Sequence, residues 1–167
     1  HPALYRRLIH GRVALVCGAG CVTLLWQDRW YQLGDVYSDE WGPGVIYDVF
    51  STVPAEFESF CGQLLMDMGM QVKITQATRD GGYDLIAYDG SEVIAVECKC
   101  YFPDRKVTRP MLQKLTGANT VLGADGLMFL TTGMFTKDAV LYGSDVGIRL
   151  IDGNRLAQLV RQYMCLD

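Results

Sequence analysis

Residues 79–99 read R-D-G-G-Y-D-L-I-A-Y-D-G-S-E-V-I-A-V-E-C-K, and their pattern decides the fold. Apolar runs on either side of Asp89-Gly90 predict two antiparallel strands, 83–88 and 91–100, joined by a tight turn. With those two residues as the turn, Tyr88 faces Ser91 and Asp84 faces Ala95, so Asp84, Ala95, Glu97 and Lys99 share one face of the sheet. Near the turn that face carries Ile86, Tyr88 and Val93; at its far end it carries two carboxylates and an ammonium. The opposite face, with Leu85, Ala87, Val96, Cys98 and Cys100, is apolar throughout. Burying unpaired charges is costly, so three charges gathered at one strand end mark a site. A pairing slipped by one residue would send Asp84 to the other face.

Such a cluster suits phosphodiester hydrolysis. Carboxylates from two neighbouring strands can hold a hard divalent cation, Mg²⁺ in the first instance, which activates water and neutralises charge growing on the phosphate. The adjacent lysine supplies a fixed positive charge for the attacking water or the transition state. Taken alone, Asp followed by Glu-x-Lys is equally at home on an exposed hairpin.

The 167 residues leave room for one ordinary domain and an appendage, with an apolar fraction typical of globular proteins. A net charge of −4 excludes a protein that coats nucleic acid by bulk electrostatics, but not a nuclease with a local basic strip. The six cysteines lack the paired spacing of a zinc site, Cys17 and Cys21 having no matching second pair, and read as free thiols in a reducing, cytoplasmic setting.

Residues 1–50 form the N-terminal appendage. Val13 to Trp26 is nearly continuous in apolar and small residues, with Arg6, Arg7 and Arg12 before it and Asp28 and Arg29 after it. The run is shorter than the roughly 20 residues of a membrane span. Two readings stand: a packed or interfacial helix, or a membrane anchor over 13–26. Residues 26–50 read as a linker or irregular arm.

From Thr52 the chain becomes regular, giving a domain over 51–167. Pro54 followed by Phe57, Phe60, Cys61, Leu64, Leu65 and Met68 predicts an amphipathic helix ending at Gly69. Glu56 and Glu58 lie on the two borders of its apolar stripe, and spacing does not choose between them. A strand over 71–76, a turn at Asp80-Gly81-Gly82 and the hairpin follow. A loop over 101–109 then leads to a helix from Pro110 with Met111, Leu112, Leu115 and Ala118 on one side. Arg105, Lys106, Arg109 and Lys114 follow the charged strand closely enough to grip flanking phosphates, and Gln113 lies one turn into the helix. A buried strand over 127–131, a helix over 137–145 capped by Thr136, a strand over 147–151 and a helix over 155–164 complete the chain. This order implies an α/β protein, a mixed β-sheet flanked by helices on both faces.

The run F-E at 57–58, then T-R-D-G-G-Y-D-L, V-E-C-K-C-Y, V-T-R-P-M-L-Q-K-L-T-G-A, G-L-M-F-L-T-T-G-M-F-T-K-D-A and L-I-D-G-N-R-L-A-Q-L resembles the Mrr-type restriction endonuclease catalytic domain, a branch of the PD-(D/E)xK nuclease superfamily. The similarity covers about 54–164. It implies a restriction-endonuclease-like fold, with Asp84, Glu97 and Lys99 as catalytic core and Glu58 as an additional metal-site carboxylate. Many members carry Gln where this chain has Glu97, so the acid here restores the fuller metal-binding pattern. The implied activity is hydrolysis of DNA by a Mg²⁺-dependent endonuclease, with Mn²⁺ able to substitute, in restriction, defence or repair. Two rivals share the fold: a junction-resolving, structure-specific nuclease working as a homodimer, and a non-catalytic DNA-binding scaffold. Retention of all four candidate residues speaks against the second.

Overall fold

The computed structural model describes the backbone of residues 5–9, 13–18, 21–26 and 29–34, and residues 42–75 and 82–164 with their side chains. Asp80 and Gly81 of the expected turn, and the side chains of Arg6, Arg7, Arg12, Cys17 and Cys21, lie outside the described residues.

The heart of the molecule is a five-stranded mixed sheet. Its strands are β5 (Gln71–Ile74), β6 (Leu85–Asp89), β7 (Glu92–Lys99), β9 (Gly126–Thr131) and β11 (Ile148–Ile151), ordered β11-β9-β7-β6-β5. β5, β6 and β7 run antiparallel in sequence, whereas β7, β9 and β11 are parallel. The parallel pairs need crossovers, supplied by α3 (Arg109–Leu122) and α4 (Lys137–Val146). One face packs Leu85, Ala87, Ile94, Val96, Cys98, Met128 and Leu130 against α1 (Pro43–Phe50), α2 (Pro54–Asp67) and α5 (Gly153–Tyr163). The other face packs Ile86, Ala95, Leu127 and Phe129 against Leu112 and Leu115 of α3 and Ala139 of α4. Helices on both faces are what the order of elements implied.

The hairpin differs from its expected register. Asp89 pairs with Glu92, Tyr88 with Val93, and Ile86 with Ala95, so the turn is Gly90-Ser91 and Gly90 takes the left-handed conformation (φ 59°). Asp84 lies just before this ladder, which begins at Leu85 opposite Val96; it does not face Ala95, and its N–H donates to the Val96 carbonyl. The displacement is two residues, and because side chains alternate with period two, every residue of the paired strands keeps its face.

Two expectations for the N-terminal part are corrected. Val13–Gly18 and Cys21–Trp26 are not a helix but strands β2 and β3 of a four-stranded antiparallel meander, with β1 (Tyr5–Ile9) and β4 (Arg29–Gly34). Gly18 and Gly20 interrupt the apolar run, and Val13, Val16, Val22 and Thr23 are β-branched, both of which favour strands over a helix. Among the described residues no helix is long and apolar enough to cross a membrane. Within 26–50, Pro43–Phe50 is a helix rather than linker; Pro43 opens it, and Ile46 and Phe50, one turn apart, enter the core beside Phe57 and Phe60.

β8 (Lys106–Val107) and β10 (Met134–Phe135) form a parallel bridge within what the sequence presents as loops. Two-residue strands leave no periodicity to read.

Candidate active site

Asp84 sits at the entrance to β6, and its backbone is tied on both sides. Its N–H donates to the Val96 carbonyl (2.8 Å), while its own carbonyl accepts from the Thr75 N–H (3.0 Å) and hydroxyl (2.8 Å). The next β7 amide, from Cys98, donates to the Asp84 carboxylate at 2.8 Å instead of to a backbone carbonyl. A side chain thus replaces one rung of the ladder, which sets the carboxylate against the strand that carries Glu97 and Lys99.

Glu97 is buried beside Phe129 on β9, with 8% of its surface exposed. One carboxylate oxygen pairs with the Lys99 ammonium at 2.5 Å. The other, Oε2, is buried with no hydrogen-bond partner. Burial, and then the charge of Asp84, push Glu97 up to about 7 against the opposing pull of Lys99. Glu58 enters the same cluster from α2. It too is raised to about 7, by burial and then by Asp84, with Lys99 pulling the other way. Burial works to lower the Lys99 pKa, but contact with Glu97 and the charge of Asp84 outweigh it and leave the ammonium above its ordinary value. Of the two acids on the borders of α2, Glu58 is thus the one that interacts with Asp84 and Lys99.

Three acids crowded around one lysine carry a surplus of negative charge, and the partnerless Glu97 oxygen is where a cation would be felt most. Among the described residues no group of three or more His, Cys, Asp or Glu side chains forms a ready-made cation cage; the acids instead approach Asp84 pairwise. Behind the site, Cys61 on α2 and Cys98 on β7 are buried free thiols, and burial with its Cys61 contact raises the Cys98 thiol.

The basic residues after β7 separate into groups. The Arg105 guanidinium lies over the Tyr101 ring, 3.8 Å from its centroid, and Tyr101 is close enough to Lys99 to act on its charge. Lys114 belongs to the turn of α3 that touches the segment entering Asp84: a Cβ added at Gly82 would stand 3.0 Å from the Lys114 carbonyl oxygen and 2.8 Å from the Ala118 Cβ. Arg109 turns elsewhere, pairing with Asp138 of α4 at 3.5 Å over the Tyr142 ring. Lys106 and Gln113 are exposed, with no contact joining them to the acids.

Tyr101, Thr132 and Gly133 hold the segment that follows Lys99. The Thr132 hydroxyl donates to the Tyr101 carbonyl (2.6 Å) and its N–H to the Lys99 carbonyl (3.3 Å). A Cβ at Gly133 would collide with the Arg105 carbonyl oxygen. The available signal was T-T-G directly after a buried strand, a place where backbone approaches backbone.

The sheet order, its two helical layers and the acids at one end of β6 and β7 define a nuclease fold of the restriction endonuclease type. A family model for restriction endonucleases, Mrr_cat, matches residues 51–160, and the chain belongs to that family. No curated protein matches the chain. Among solved structures it is similar to the DNA modification-dependent restriction endonuclease AspBHI, with 22% identity and a TM-score of 0.59 over 72% of this chain and 34% of that one. It is likewise similar to the MspJI restriction endonuclease in complex with a 27-mer oligonucleotide, with 22% identity and a TM-score of 0.58 over 71% of this chain and 30% of that one. A third similar structure, AF1548, is described as a protein of unknown function, with 19% identity and a TM-score of 0.50 over 57% and 55% of the two chains. This chain spans about a third of the length of the two endonucleases.

Proposed function

We propose that the chain carries the catalytic domain of a divalent-metal-dependent endodeoxyribonuclease acting in restriction or defence, with residues 51–167 as the nuclease domain. The observation that carries this reading is the buried Glu97 oxygen without a hydrogen-bond partner, in a cluster shared with Asp84 and Glu58. An orphaned carboxylate oxygen is costly to bury, and crowded acids repel; both penalties are relieved by a bound cation. Asp84, Glu97 and Glu58 would hold it, an all-oxygen donor set suited to a hard ion such as Mg²⁺, or Mn²⁺ in its place. When bound, the cation supplies Lewis acidity toward the scissile phosphate and the attacking water.

The chain's own residues do the rest. The Lys99 ammonium, held by Glu97 and kept protonated, places a fixed positive charge where negative charge develops on the phosphate. Asp84, tied through its backbone to Thr75 and Val96 and through its carboxylate to the Cys98 N–H, holds its carboxylate beside Glu97 and Lys99 without reorganisation. Arg105 and Lys114 lie on the two elements bordering the acids and suit neighbouring phosphates.

The test is incubation with supercoiled, methylated and branched DNA, with Mg²⁺ and with EDTA. Cleavage is expected with Mg²⁺ and none with EDTA, and the substrate preference separates a modification-directed enzyme from a structure-specific one. Cleavage that persists in EDTA, or no cleavage of any of the three, overturns the reading.

A further inference from the structure

The segment between Lys99 and α3 is tied down more thoroughly than a connecting loop requires. The Tyr101 carbonyl accepts from the Thr132 hydroxyl (2.6 Å), and the Arg105 N–H closes a turn onto the Phe102 carbonyl (2.8 Å). The Arg105 carbonyl accepts from the Met134 N–H (2.9 Å), and the bridge of β8 to β10 continues the same attachment. Gly133 is required beneath it, since a Cβ there would strike the Arg105 carbonyl oxygen and come within 3.3 Å of the Tyr101 Cβ. With the backbone of both residues held, the Arg105 side chain folds back over the Tyr101 ring at 3.8 Å. Among the described residues no carboxylate within ion-pair distance holds Arg105, in contrast to Arg109 with Asp138 and Arg149 with Glu92. Its charge therefore remains available to an incoming anion, while the ring limits the arcs it can sweep. Tyr101 stands two residues beyond Lys99, at the end of β7 where the acids gather.

We infer that Tyr101 is a positioning residue that presents the Arg105 guanidinium to a DNA backbone phosphate next to the scissile one. The inference rests on the nuclease reading and adds to it. A planar guanidinium stacked on an aromatic face keeps its N–H edge free for phosphate oxygens and loses less freedom on binding than a solvated arginine does. Tyr101 itself touches no substrate; it acts through Arg105.

The experiment is a double-mutant cycle on DNA binding, measured by salt titration in Ca²⁺ with the full chain, alongside thermal melts. Arg105→Ala should flatten the slope of log affinity against log salt by about 0.9 for duplex DNA, one lost phosphate contact. Tyr101→Leu should weaken binding by roughly two- to fivefold, as expected for the loss of an exposed cation–π contact, and Tyr101→Phe should retain wild-type binding because the ring remains. Tyr101→Leu should have no further effect once Arg105 is Ala, which a merely structural role for the tyrosine would not produce. Additive losses, or a Phe variant as weak as the Leu variant, overturn the inference. If the Leu variant does not fold, Arg105→Lys decides: it keeps the charge and loses the planar stack, so affinity equal to wild type overturns the proposal and reduced affinity supports it. A wild-type protein that binds no DNA in Ca²⁺ overturns both the inference and the nuclease reading, whereas salt-dependent wild-type binding with an additive cycle removes the inference alone.

Discussion

Strand β7 carries two ion pairs of the same length in opposite circumstances. At its turn end Glu92 meets Arg149 of β11 at 2.5 Å, with the two side chains 34% and 44% exposed. At its far end Glu97 meets Lys99 at the same distance, but the Glu97 side chain is only 10% exposed and its second oxygen has no partner. The first pair stitches two strands across the intervening β9 and stays solvated, so its net contribution is small. The second is one favourable contact within a cluster that is otherwise repulsive. The difference teaches that distance alone does not reveal what an ion pair does. What separates them is whether the remaining polar atoms are satisfied by water or left buried beside further charge.

The largest expected effect comes from removing the lysine at the far end. Lys99→Ala should lower the rate of DNA cleavage by a factor on the order of 10² or more, with folding intact, if its charge acts in the transition state as proposed. Arg149→Ala should leave the rate within about twofold of wild type, the scale of an exposed pair. Comparable rates for the Lys99 variant, measured on one plasmid under identical metal conditions, would remove Lys99 from the mechanism and erase the contrast.

Metal should distinguish the two ends next. Mg²⁺ or Mn²⁺ at about a hundredfold over its dissociation constant should raise the melting temperature by roughly 5–11 °C through linkage. The response should vanish in Asp84→Asn and persist in Glu92→Gln. A melting temperature indifferent to both ions in the wild type would favour the non-catalytic scaffold.

A smaller effect concerns pH in the metal-free protein. Glu58 and Glu97 titrate near 7 in the fold against 4.5 ordinarily, so between those values the folded state binds more protons than the unfolded chain. The stability linked to these groups is fully present below about 4.5 and is lost as pH rises through about 7. In EDTA the melting temperature should therefore carry a downward component of a few degrees over this window. Glu97→Gln, which removes one charge and keeps the side chain's size, should shrink that fall. An equally steep fall in the Gln variant would place the titration elsewhere.

The smallest effect is at the turn end: Glu92→Gln should cost no more than about 1 kcal/mol of stability. A larger loss in denaturant unfolding would mean that this pair too is held away from water.

Most of the fold was legible because its elements are long and periodic. α2, α3, β7 and β9 each bury one stripe or both faces, and their apolar spacings survive any uncertainty at the ends. The expected hairpin register was displaced by two residues, yet Glu97 and Lys99 kept the face they share with Ala95, since only an odd slip inverts a strand. The N-terminal run forms strands rather than the expected helix; a short apolar stretch has no period to separate the two, and only its glycines and β-branched residues favour strands.

The amino-acid sequence by itself determined the mixed sheet with helices on both faces, and Glu97 and Lys99 on one strand face, because alternation along a strand is a local property. It left Glu56 and Glu58 equal as residues on a helix border, and only the resemblance favoured one of them. Packing of α2 against the sheet brought Glu58 into electrostatic contact with Asp84. The placement of Arg105 over Tyr101, the turning of Arg109 toward Asp138, and the Glu97 oxygen left without a partner were likewise decided only by the tertiary structure. The last two depend on segments distant in the chain meeting in space, and the first, between residues only four apart, on a loop held by the distant Thr132 and Met134; no spacing within one segment encodes what will be packed against it.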